Sequence, residues 1–293
     1  MANTKAAASN NSFWAILRRM PRTWVGGALV VVVVFSAIFA PQLSPTDPLK
    51  QFREGLTATG VPLGPNEQFP MGTDHLGRDM MSRLLYGAQV SLTVSFVANT
   101  VAAIFGTLVG LLAGYYSGKI DWLLMRITDV LLAFPAILLA LGLGSVLRPS
   151  VPTVLIILTL INWPALARLV RSQVLSVRER AFIESARCIG ASDWYIMMRQ
   201  ILPQIAAITV VWGTLNFANT VLIESSLSFL GVGVPLPLPS WGNMIAEGQS
   251  RYRIAPWMIL APTAAILITT LGFNLLGDAV RDALDPRTGQ RTS

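Results

Sequence analysis

Long apolar runs alternate with short polar stretches along the whole chain, and the apolar runs exceed what a soluble core uses. A helix needs about 20 mostly apolar residues to cross the hydrocarbon of a bilayer. Six stretches reach that scale: 23–42, 87–113, 122–147, 152–170, 204–230 and 255–279. The pattern predicts an all-α membrane protein with six transmembrane helices. The first stretch, TWVGGALVVVVVFSAIFA, follows a basic lead with Arg18, Arg19 and Arg22. That lead is long and no small-x-small site precedes Ala40-Pro41, so the stretch is expected to remain as a span. Phe134-Pro135 and Trp163-Pro164 are expected to bend their helices. The chain divides into a lead 1–22, a first span with a long loop 23–86, a five-span core 87–280 and a tail 281–293. The core includes a polar loop over 171–203.

Charge gives the spans a direction. Only 13% of the 293 residues are charged, against 53% hydrophobic, and soluble domains carry roughly 25% charged residues. The net charge of +7 is spread between apolar segments rather than gathered on one soluble face, which argues against nucleic-acid binding and for contact with membrane lipids. With the N-terminus inside, 15 basic residues fall on the inner side: Lys5, Arg18, Arg19, Arg22, Lys119, Arg126, Arg168, Arg171, Arg178, Arg180, Arg187, Arg199, Arg281, Arg287 and Arg291. Seven fall outside. The positive-inside rule then places both termini and the 171–203 loop in the cytoplasm of a cell-membrane protein. One cysteine, Cys188, and one histidine, His75, exclude an internal disulfide and argue against a metal cluster or catalytic constellation.

Two features of the pattern point to contacts. Gly106, Gly110, Gly114 and Gly118 recur every fourth residue, a ridge on which a neighbouring helix can pack closely. In the loop, Phe182, Ala186 and Ile189 fall at helical spacing and predict a short apolar stripe. Arg180 and Arg187 are placed to pair with Glu184 across that helix. Gly190 suits a left-handed C-terminal cap, Ser192 or Asp193 a second start, and Leu202-Pro203 the first turn of the fifth span. On periodicity alone this helix suits a groove on another protein and a lipid headgroup layer equally.

The loop ESARCIGASDWYIMMRQILP resembles the E-A-A-x-x-x-G-x9-I-x-L-P motif of ABC-importer permeases. Glu184, Ala186, Gly190, Leu202 and Pro203 match it, with Ser185 for the second letter and Gln200 for Ile. MGTDHLGRDMMSRLLYGAQVSL, residues 71–92, is similar to the signature of the C-type subunit of dipeptide and oligopeptide permeases, with Gln89 in place of Arg. Residues 224–245 and the run FNLLGDAVRDALDPR are similar to the same subfamily. The resemblance implies a coupling-helix loop that docks, through Phe182, Glu184, Ala186, Ile189, Gly190, Leu202 and Pro203, on a cytoplasmic ATPase. It implies two such ATPases binding ATP and Mg, a second and unlike permease, and an extracytoplasmic solute-binding protein delivering peptides. Nickel or another small solute is the alternative within the subfamily. The residues agree that this chain binds no cofactor of its own: GYYSGKI over 114–120, the string nearest a phosphate loop, has the wrong spacing. An ion-coupled secondary transporter would want relay residues deep in the spans and inverted repeats, and neither is evident.

Four polar residues stand apart from the loop. Asp74, Arg78 and Asp79 suit either solute contact or a loop tied by local ion pairs and a helix cap. Glu224, late in the fifth span, suits pathway lining or a buried hydrogen-bond anchor, because an ionised group facing lipid is costly. His75 lacks the neighbours a metal ligand needs, and 234–239, VPLPLP, is expected to be extended and stiff.

Overall fold

The computed structural model describes residues 17, 18 and 20–284. Lys5, Arg19, Arg287 and Arg291, and all but the start of the 281–293 tail, lie outside them. Nine helices organise the described chain: α1 (Pro21–Ile38), α2 (Met80–Tyr116), α3 (Gly118–Ala133), α4 (Ala136–Val146), α5 (Val151–Arg178), α6 (Ala181–Cys188), α7 (Leu202–Phe229), α8 (Trp241–Gly248) and α9 (Trp257–Leu284). β-pairing among the described residues is limited to isolated bridges within 51–79. Helices α1, α2, α5, α9 and α7 with its lead-in from Asp193 are each long and apolar enough to cross a membrane.

The third span differs from expectation. The single helix predicted over 122–147 is two, α3 and α4, bent by 90° at Phe134-Pro135. A proline disfavours helical backbone in the residue before it, and Phe134 is extended (φ −88°, ψ 135°). At Trp163-Pro164, by contrast, α5 runs on as one helix. It continues to Arg178, so Arg171 and Arg178 are helical and the polar loop is shorter than 171–203. Helix α2 starts earlier than its apolar run because Asp79 caps it, accepting from the Ser82 N–H at 2.7 Å.

The seam between α2 and α5 is the most extensive in the bundle. A methyl added to Gly106 would lie 2.7 Å from the Trp163 carbonyl oxygen, one on Gly110 2.5 Å from that of Ala167, and one on Gly114 2.7 Å from the Val174 Cβ. Such approach maximises dispersion contact where no hydrophobic effect drives helices together. Gly118 is not part of this ridge: α2 ends at Ser117, and space around Gly118 is open. Further along, Asn216 of α7 donates to Asn99 of α2 (2.9 Å) and to Asn162 of α5 (3.1 Å), tying three helices. Helix α1 lies on α9, with Gly26 against Leu275 and Gly272 against Leu29. Arg22 and Asp282 pair at 3.2 Å, so the first and last spans end side by side.

At the opposite end, loop 44–79 and α8 form a cap around buried charge. Asp74 accepts from Arg78 Nε at 2.5 Å and also from Arg83, whose Nη1 donates to Glu247 at 2.6 Å. Arg83 and Asp74 are fully buried. Burial pushes the Asp74 carboxyl up, but Arg83, Arg78 and two backbone N–H groups outweigh it and hold it below the ordinary carboxylate value. The segment expected to be extended, 234–239, instead turns and bends. Asn243 of α8 donates to the Val234 and Leu238 carbonyls (2.8 and 3.3 Å) and gathers it in.

Gly110→Leu should destabilise the protein by about 3 kcal/mol or more, since overpacking meets backbone there. Gly142→Leu, whose added atoms meet open space, should not; thermal unfolding in detergent compares them, and equal midpoints would refute the seam. Arg83→Met should cost about 3 kcal/mol by leaving Arg78 alone to balance Asp74 and Glu247, read as faster proteolysis within 44–79, while exposed Arg53→Met leaves the rate unchanged. Because Asp74 has a lower pKa folded than unfolded, its contribution is complete above about pH 3.9 and is lost as pH falls through the folded value. Asp74 therefore costs the cap nothing between pH 7 and pH 5, but burial holds the His75 imidazole below its ordinary value, so the cap should lose protease resistance as pH falls from 7 to 5, and His75→Gln should remove that dependence.

Candidate functional site

The end of the bundle opposite the cap presents a small, firmly seated knob. Helix α6 is only eight residues long and would not persist alone. Its inner residues, Ile183 and Ala186, are buried among Val174 and Val177 of α5, Leu111 and Tyr115 of α2, and Ile196, Met197, Ile201 and Ile205 leading into α7. The helix ends as its sequence prescribes. Gly190 takes φ +79°, its N–H reaches the Arg187 carbonyl (3.0 Å), and the Ala191 N–H reaches that of Ala186 (3.0 Å). This is a Schellman cap. Ser192 then caps the next turn, Asp193–Tyr195, its hydroxyl accepting from the Tyr195 N–H at 3.3 Å. A π-helical stretch, Ile196–Ile201, leads into Leu202 and Pro203, with the proline in the first turn of α7.

Polar contacts fasten the knob to α2. Arg178 donates from Nη1 to the last carbonyls of α2, Gly114 (2.9 Å) and Tyr115 (3.3 Å), and to the Ser117 hydroxyl. These carbonyls have no partner within the helix, and a cation at a C-terminus also answers the helix dipole. Tyr115 donates its hydroxyl to Asp193 at 2.6 Å, and the Arg187 guanidinium lies over the Tyr115 ring.

Two sequence expectations about the knob are corrected. The stripe Phe182–Ala186–Ile189 does not lie on one available face: Ala186 points into the bundle while Phe182 and Ile189 point out. The helix sits on its own core, and that core claims the small residue. Glu184 makes no ion pair with Arg180 or Arg187 among the described residues; Arg187 turns to Tyr115 instead. What the knob exposes is large and apolar. Ile189 is 85% exposed, Trp194 67% and Tyr195 50%, with Phe182 beside them. Sequence reading missed Trp194 and Tyr195, although two aromatics directly after a Ser-Asp cap, outside any apolar run, were a usable signal.

The other singled-out residues are structural in this arrangement. Glu224 is fully buried, accepting from the Ser228 hydroxyl at 2.8 Å, and does not line an open surface. Asp74, Arg78 and Asp79 serve the cap, and Glu247, from α8, completes their network unforeseen. One ligand atom each from Asp74, His75 and Glu247 lie within 4.8 Å of one another, but Arg78 and Arg83 already occupy the carboxylates. Gly106, Gly110 and Gly114 form the packing ridge expected of them.

The comparisons with known proteins agree with this architecture. Residues 106–290 match the family described as binding-protein-dependent transport system inner membrane component, and residues 11–58 match the N-terminal TM domain of oligopeptide transport permease C. The chain is 41% identical over 268 residues to the dipeptide transport system permease protein DppC of Alkalihalophilus pseudofirmus, covering 90% of this chain and 85% of that one. It is 44% identical over 277 residues to the glutathione transport system permease protein GsiD of Shigella sonnei, covering 94% and 90%. Among solved structures, a chain of the inward-facing MetNI methionine ABC transporter shares the fold, with a TM-score of 0.57 at 21% identity over 70% of this chain and 98% of that one. The chain belongs to the binding-protein-dependent transport system inner membrane components: it is a permease subunit of an ABC importer.

Proposed function

We propose that this subunit admits peptides, and that the α6 knob is where a cytoplasmic ATPase drives it. The observation that carries the reading is the exposure of Phe182, Ile189, Trp194 and Tyr195 on a helix whose other face is anchored in the bundle. Solvent-exposed apolar clusters rimmed by polar residues mark sites of protein association. A headgroup-resting helix would spread basic residues along its polar face; here Arg178 and Arg187 are drawn back onto α2. On this reading, two ATPase subunits bind ATP and Mg, a second, unlike permease completes the passage, and an extracytoplasmic binding protein delivers the solute at the cap end.

Support for the peptide class comes from the relatives, which are named for dipeptides and glutathione. Support for cytoplasmic termini comes from the excess of basic residues on the knob side, and from the pairing of Arg22 with Asp282, which sets the first and last spans at one end.

Ile189→Glu and Gly190→Leu should both leave membrane insertion intact and abolish uptake of a radiolabelled dipeptide. The first puts a charge in the docking face; the second forces a side chain into left-handed backbone, costing about 1–2 kcal/mol locally. Ile189→Glu should also lose the ATPase in a mild-detergent pull-down. Retained ATPase with normal uptake would overturn the docking role.

A further inference from the structure

An exposed asparagine lies deep within α7. Asn219 is 17 residues beyond Leu202 and 10 short of Phe229, so about 15 Å of helix separates it from the cap end. Its residue is exposed, and among the described residues no hydrogen bond satisfies its amide. An amide facing hydrocarbon costs several kcal/mol, so this surface does not face lipid in the assembled protein.

The geometry of the neighbouring contact shows what shares that surface. Asn216 meets Asn162 across the α5–α7 seam at 3.1 Å. The two helices run antiparallel, α5 toward the knob and α7 away from it. Three residues along an α-helix turn through about 300°, and in antiparallel neighbours those turns have opposite sense when viewed from one end. Asn219 and Ala165, each three residues beyond the paired asparagines, therefore fall on the same side of the seam. Seven residues, or two turns, beyond them, Ser226 and Ser172 fall there too. Ala165 and Ser172 are exposed and Ser226 half-exposed. The resulting valley interleaves Leu215 and Leu222 of α7 with small and hydroxylated residues, and carries an amide with no hydrogen-bond partner among the described residues.

The middle of the valley, around Asn219 and Ala165, is uncharged. No Asp, Glu, Lys, Arg or His occurs from Gln200 to Ile223 or from Val151 to Ala167. Charge enters toward the knob, where Arg168, paired with Asp129 at 2.6 Å, and Arg171, paired with Asp121, flank Ser172.

We propose that this valley lines the solute passage and that Asn219 hydrogen-bonds the peptide groups of the solute as it moves. The proposal rests on the reading of the chain as a peptide permease. An amide offers one donor group and one acceptor, which matches the alternating C=O and N–H of a peptide backbone. The uncharged side chains around it select no charge on the solute, so recognition here is of the backbone that peptides share.

The test uses the assembled importer in proteoliposomes, with Cys188→Ser removing the one native cysteine. Asn219→Cys should react with a charged, membrane-impermeant thiosulfonate much faster than Leu267→Cys, on the exposed apolar surface of α9. A transported dipeptide should slow that reaction. Asn219→Leu should assemble normally and lower dipeptide uptake about tenfold, the scale of one lost hydrogen bond, with uptake restored by Asn219→Gln. Reaction at 219 no faster than at 267 would overturn the proposal. So would a solute-independent disulfide from 219 to the second permease, which would make the valley a packing surface. If the unaltered importer moves no peptide, the substrate reading fails instead, and the labelling comparison still reports whether the valley is wet.

Discussion

Contact between the backbones of α2 and α5 is the constraint from which the other arrangements follow. Inside lipid, burying a leucine against another helix gains little over leaving it in the acyl chains, so association depends on how closely helices approach. Gly106, Gly110 and Gly114 remove the side chains from one wall of the seam, and Ala167, Val170 and Val174 fill it from the other. Once that register is set, Asn99 and Asn162 stand where Asn216 can reach both, and α7 is held by part-buried hydrogen bonds. The same register brings Arg178 level with the end of α2. The knob is thus a consequence of a seam that begins two turns deeper in the bundle.

Charge is handled differently at the two ends. At the cap, Asp74, Glu247, Arg78 and Arg83 pair with one another, Arg83 through Nη1 alone while its buried Nε and Nη2 find no partner among the described residues, and such a network is costly to break because each partner left behind is a buried charge. It also joins residues more than 160 positions apart, locking the long first loop to α8. At the knob, basic residues remain partly solvated and act locally, on carbonyls at the end of α2 and on the Tyr115 ring. One end is built to hold its shape. The other keeps its apolar residues outward and its ionic ties short.

What the sequence disclosed was whatever depends on near neighbours. The spans follow from run length, the Asp79 and Ser192 caps and the Gly190 turn from the residue types themselves, and the glycine ridge from its four-residue repeat. Gly118 fits the repeat but not the seam, because the helix had already ended at Ser117. The 90° break at Phe134-Pro135 was legible as a bend but not in size, since a proline frees the backbone without saying where neighbours will direct it. Ala186 was misjudged for a related reason: a short helix wedged between its own core and solvent has apolar residues on both faces, so periodicity cannot say which side is inward. Glu247 and Asn219 were out of reach. One depends on a contact between distant segments, and the other on knowing which face of α7 the bundle leaves open.

The position of the knob explains how a push on it would reach the passage. Ile183 and Ala186 share one apolar cluster with Val174 and Val177, at the end of α5, and with Ile201 and Ile205, at the start of α7. Interiors packed to crystal-like density transmit displacement rather than absorb it, so α6 cannot shift without carrying the ends of both helices. The two connections are unequal, however. On the α5 side only the turn at Glu179 and Arg180 intervenes, and Arg178 fastens that helix to α2. On the α7 side lies the π-helical stretch Ile196–Ile201, whose wider hydrogen-bonding pattern departs from the α-helical ladder and is a place where helices change register. Motion entering at α6 under the proposed docking would therefore be resisted by α5 and yielded to by α7. The helix that yields is the one that carries Asn219.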